Sequence, residues 1–98
     1  MNYVPCPIVV PGVGAAAIIL EIYEEDGRVI CGIYQMAAKI DLPPKQWLHL
    51  VRSGMAFVEQ KARESGATEM RVAGRRWHRV LTDYEPFDEV PNGLRKRL

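Results

Sequence analysis

The stretch DLPPKQWLHLVRSGMAFVEQKARESGATEMRVAGRRWHRVLTDY, residues 41–84, decides the reading of the fold. Pro43 and Pro44 stand where the first turn of a helix has backbone N–H groups without intrahelical partners, and Asp41 ahead of them is placed to cap it. Trp47, Val51, Met55, Val58 and Ala62 recur at helical spacing and form one apolar stripe, widened at its start by Leu48 and Leu50. Arg52, Glu59, Lys61 and Glu64 fall on the opposite, solvated face. Gly66 supplies the left-handed residue that terminates such a helix. Each large side chain of the stripe contributes roughly 1.5–3 kcal/mol when buried, so this helix needs a sheet to lie on. After Gly66, residues 69–73 alternate Met70 and Val72 against Glu69 and Arg71, the pattern of a short strand. Gly74-Arg75-Arg76-Trp77 then heads a second helix, expected over residues 75–83 with Trp77, Val80 and Leu81 inward.

Upstream, residues 15–23 set Ile18, Leu20 and Ile22 against Ile19, Glu21 and Tyr23, a strand with both faces partly covered. Asp26-Gly27 offers the positive φ that a tight hairpin needs, and residues 28–35 alternate Val29, Cys31 and Ile33 with Ile30, Gly32 and Tyr34. The two runs should pair antiparallel. Residues 1–14, rich in Pro and Gly, read as an extended N-terminal arm or as an edge strand near Ile8 to Val10. Pro11-Gly12-Val13-Gly14-Ala15 precedes a strand instead of opening a helix, so it reads as a turn and not as a phosphate loop. Residues 87–98 hold a Pro-Asn-Gly turn and then a final strand at Leu94-Arg95-Lys96-Arg97-Leu98. The order predicts an α+β domain with a mixed, mostly antiparallel sheet packed against one long and one short helix.

At 98 residues the chain has room for one domain. The uncharged run up to Leu20 is broken by Pro5, Pro7, Pro11, Gly12 and Gly14, which suits neither a membrane span nor a secretory signal, so a cytoplasmic protein is expected. Cys6 and Cys31 stand singly and read as reduced thiols, with no metal site. A formal net charge of +1 excludes a strongly basic nucleic-acid binder, although residues 71–98 hold seven basic groups against four acidic ones. That basic end (Arg75, Arg76, Trp77, Arg79, Arg95, Lys96 and Arg97) is the candidate interaction face. His78 has no carboxylate at local spacing to orient it, and His49 lies between the leucines of the long helix.

The long helix ending in Ala62-Arg63 and Gly66, the strand, the Gly74-Arg75-Arg76-Trp77 helix entry and the basic terminal strand resemble the C-terminal half of the GNAT acyltransferase superfamily, from about Arg28 to Leu98. The style is closest to small GNAT-like proteins encoded in bacteriophage genomes. The resemblance implies an acyl-CoA site in which the strand amides of Ile33, Tyr34, Gln35 and Met36 meet the pantetheine and Lys45 supplies charge to the phosphates.

The chain departs from the family pattern at both chemical positions. Where the family carries a glycine-rich pyrophosphate loop, residues 37–46 read AAKIDLPPKQ, with no glycine, two prolines that lack donors, and an acidic Asp41. Where the family carries a tyrosine general acid, Thr82 stands, and Tyr84 is two residues out of register. The N-terminal half of the family fold has no counterpart, which implies a bare sheet edge that invites association. Three readings follow: a non-catalytic GNAT-like interaction or structural protein of phage or prophage origin, completed as a homo-oligomer or in a larger assembly, in the host cytoplasm or a virion; a minimal acetyl-CoA-dependent N-acetyltransferase; and a small regulator binding a host protein or nucleic acid through the basic C-terminal face. The first needs no catalytic residue and no cofactor.

Overall fold

The computed structural model describes residues 2–74 and 77–98, with the side chain of Ile40 set aside. In chain order it contains β1 (Asn2–Val10), β2 (Gly14–Glu25), β3 (Arg28–Ile40), α1 (Pro44–Glu64), β4 (Glu69–Val72), a single 3-10 turn (Trp77–Arg79), β5 (Glu85–Pro86) and β6 (Leu94–Arg97). The strands form one sheet in the order β1-β2-β3-β4-β6-β5. Among the described residues only the β3–β4 pair is parallel. The α+β architecture with a mixed, mostly antiparallel sheet and one long helix is therefore as the sequence implies.

Local chemistry sets the turns. Asp26 and Gly27 both have positive φ, 52° and 76°, as a two-residue turn matching strand twist requires. Of the two readings of the N-terminus the edge strand is the one seen, longer than expected and joined to β2 through a turn at Gly12 in which the Val13 N–H donates to the Val10 carbonyl at 3.0 Å.

Helix α1 begins one residue after Pro43, which is its N-cap, and no side chain caps it. Asp41 is therefore not the cap, because it lies two residues too early for its carboxylate to reach the first free N–H groups. Gly66, at φ 87°, ends the helix as expected. The Ala67 N–H bonds the Ala62 carbonyl at 3.0 Å and the Gly66 N–H bonds that of Arg63 at 2.9 Å, while buried Ala62 and Ala67 close the apolar contact of this motif.

The core lies between α1 and one sheet face, where Met55, Val58 and Ala62 meet Cys6, Ile18, Leu20, Ile22, Cys31, Met70, Val72 and Leu94. The first half of the stripe overhangs, and Trp47 is 39% exposed. Cys6 and Cys31 are free, buried thiols. Burial, with Cys6 nearby, pushes the Cys31 thiol up to about 12, so it behaves as a small apolar side chain. On the opposite face, Ile30 and Phe87 are buried where the segment 85–93 folds back.

Over its described part the second helix is reduced to a single 3-10 turn. A 3-10 turn at Trp77–Arg79 leads into bends, with Leu81 buried and Trp77 and Val80 half-buried; Arg75 and Arg76 lie outside the described residues. Tyr84 joins the α1-side core cluster while Phe87 stacks under Arg71 on the other face. The chain from Tyr84 to Phe87, whose ends lie on opposite faces, is therefore extended and holds β5.

The outer strands of the sheet are β1 and β5. In β1 the even residues Val4, Cys6 and Ile8 face the core, and the ladder to β2 is unbroken from Asn2 to Val10. Pro5 and Pro7 cannot donate to that ladder, so their nitrogens point out and the outer edge lacks donors there. The opposite edge, β5, is two residues long and includes Pro86. Both outer edges are blunted in the way natural sheets avoid unwanted pairing.

Candidate functional site

A gap in hydrogen bonding lies inside the sheet. β3 is thirteen residues long and β4 only four, and they pair through Ile30, Cys31 and Gly32 alone. From Tyr34 to Ile40, β3 is paired on one side with β2 and, among the described residues, with no strand on the other. A bulge at Tyr34, where the β2 partners pass from Leu20 to Ile19, bends β3 at the point of divergence.

Register shows which backbone groups face the gap. The Thr68 N–H donates to the Val29 carbonyl at 2.9 Å, so the backbone of Val29 points towards β4. Alternation carries that direction to Cys31 and Ile33, and the extra residue at the bulge transfers it to Met36 and Ala38. Gln35 and Ala37, paired with Ile19 and Ala17, are bonded to β2. Beside the gap, on the α1 side, is a wholly apolar cavity of about 60 Å³, walled by Met36, Ala38, Trp47, Val51 and Trp77 among others. The Trp77 indole N–H donates to the Ala73 carbonyl at 3.3 Å, which fixes the ring as the far wall.

Of the candidate pantetheine contacts, Ile33 and Met36 pack against the core while Tyr34 and Gln35 are exposed. Tyr34 lies with its ring 4.8 Å from that of Tyr3, tilted by 52°. Lys45 is exposed at the start of α1, behind a proline N-cap.

The basic end is less free than the sequence implies. Arg95 donates to Glu85 at 2.9 Å and lies over Phe87, while Lys96 donates to Asp83 at 2.6 Å and to Glu59 at 3.0 Å. Arg79 and Arg97 are exposed. Lys96 therefore ties β6 to α1 and to Asp83.

That tie belongs to a cluster missed in the sequence. Glu59, expected on the solvated face, is 6% exposed, and both its oxygens are used: Tyr84 Oη donates to one at 2.6 Å and Lys96 Nζ to the other. The signal was present, since Glu59 is four residues from Met55 and three from Ala62 and so lies on the buried stripe. Burial and the Glu59 carboxylate hold the Tyr84 hydroxyl well above its ordinary pKa. A phenol held in that way is a poor acid at neutral pH. The bond to Asp83, with help from Glu59, raises Lys96, and the same bond lowers Asp83.

A second polar group lies on the other face. Arg71 contacts Glu69 at 2.5 Å and Glu25, and stacks over Phe87 at 4.5 Å, while Arg28 pairs with Glu69 at 3.2 Å. Burial pulls the Arg71 guanidinium down, but its bonds to Glu69 and Glu25 outweigh that and leave it raised. These charges compensate one another and fasten β4 under the returning tail.

Among the described residues no three His, Cys, Asp or Glu side chains are grouped to hold a metal, and no helix is long and apolar enough to cross a membrane. Comparison with protein-family models, with curated proteins and with solved structures finds no match.

Proposed function

We propose that this chain is a non-catalytic GNAT-like interaction protein, of phage or prophage origin, that engages a partner protein or a larger assembly in the host cytoplasm or the virion through the gap between β3 and β4. The observation that carries this reading is the contrast in edges: β1 and β5 are blunted by prolines, whereas β3 keeps a run of backbone that no described strand pairs, beside an apolar cavity. The proton of Tyr84, the phenol nearest the family's acid position, is bonded to Glu59, and the start of α1 presents proline where a phosphate loop needs donors.

A second reading, a minimal acetyl-CoA-dependent N-acetyltransferase, is favoured by the same bulge and divergence, which turn backbone amides of β3 towards an open gap. Calorimetric titration with acetyl-CoA separates the two. Binding no tighter than about 1 mM is expected, and affinity in the range of about 1 μM overturns the non-catalytic reading. The regulator reading rests on the basic end, where Arg79 and Arg97 remain exposed. DNA affinity falling steeply with salt would promote it.

A further inference from the structure

We propose that the occupant of the gap is an extended segment of a partner protein, added as a strand to β3 at Met36 and Ala38, with one aliphatic side chain seated in the cavity beside them. This rests on the interaction reading above and specifies its chemistry.

The argument has three parts. An unpaired strand edge offers N–H and C=O groups at a strand's repeat, and what satisfies them is another extended backbone, the basis of recognition by strand addition. The two groups are placed to act together, because Met36 and Ala38 are two residues apart and share one direction. The adjoining cavity, about 60 Å³ and without polar lining, admits the end of an aliphatic side chain and rejects a charged one. An incoming strand places alternate side chains towards α1, so the residue that meets the cavity is fixed by the same register as the hydrogen bonds. This chain's own outer strands are poor ones to offer, since β1 carries Pro5 and Pro7 and β5 is two residues long with Pro86, which favours a partner's segment over a second copy.

The test uses a yeast-displayed library of random peptides as long as the open run. Selected peptides should share an aliphatic residue at one position. Methylating the backbone nitrogen that pairs with β3 should weaken binding by about tenfold or more, whereas methylating the next nitrogen along should not. Ala38→Pro removes the N–H that faces the gap and should weaken binding by about as much, while Ala38→Gly, which keeps it, should stay within about threefold. The N-methyl series uses the unaltered protein, so it decides the matter even if Ala38→Pro fails to fold. An empty selection, or peptides indifferent to N-methylation, overturns strand addition; if acetyl-CoA still fails to bind, the broader interaction reading survives. Competition by acetyl-CoA at about micromolar concentration overturns both. A dimer by light scattering that Ala38→Pro dissolves makes the occupant a second copy and overturns this assignment.

Discussion

The sheet has two kinds of edge, and the difference between them is chemical. At β1, two prolines spaced by two residues remove outward donors without disturbing the ladder to β2, because both nitrogens already face away from it. At β3, Met36 and Ala38 carry ordinary amides facing a gap that no described strand fills. Residues in the first strand close the sheet to casual pairing. Residues in the third leave a short, walled opening, which teaches that an incomplete sheet is not equally incomplete everywhere.

The largest expected effect concerns the cluster that holds the 80–84 segment to α1. Glu59→Ala leaves Lys96 and the buried Tyr84 hydroxyl without their shared acceptor and should destabilise the fold by about 3 kcal/mol, measured by urea denaturation. A loss below about 1 kcal/mol would mean that the cluster does not hold this segment in place.

Next comes a pair of neighbours on β3. Ala37→Pro removes an N–H bonded to β2 and should cost about 2 kcal/mol more than Ala38→Pro, whose N–H faces the gap. Equal costs would erase the distinction between the two sides of β3.

Replacing Pro5 and Pro7 together by valine restores two outward donors on β1. Stability should change by less than about 1 kcal/mol, while light scattering should show a concentration-dependent rise above 11.1 kDa that the unaltered protein lacks. No rise would show that the prolines do not protect this edge.

The smallest effect is electrostatic. Asp83 titrates lower in the folded chain than unfolded, so its contribution is present above its unfolded value near about 3.9 and is lost as pH falls through the folded value. Lys96 is raised, so its contribution is present below about 10.5 and is lost as pH rises through the folded value. Asp83→Asn should flatten the acid limb of stability against pH, by little, since Asp83 is largely exposed. An unchanged acid limb would remove Asp83 from the cluster's working members.

Much of this fold was legible. The stripe of α1, the Gly66 terminus and the Asp26-Gly27 turn follow from local rules that tertiary structure did not override. The burial of Glu59 was legible in its spacing but hidden by its charge, because an acidic residue reads as solvated until its Tyr and Lys partners are known. The shortening of the second helix to one 3-10 turn was not legible, since nothing in its local spacing signals it. Pro5 and Pro7, at alternate positions, carried an edge-strand signal. The gap carried none, since it arises from β4 stopping at Val72 while β3 continues to Ile40.

The most direct measurement is residue-resolved amide hydrogen exchange along β3 in the unaltered protein. The account predicts alternation, with Gln35 and Ala37 protected by β2 while Met36 and Ala38 exchange within about tenfold of an unstructured chain. Uniform protection from Gln35 to Ala38 would show the inner edge already paired and would contradict the account.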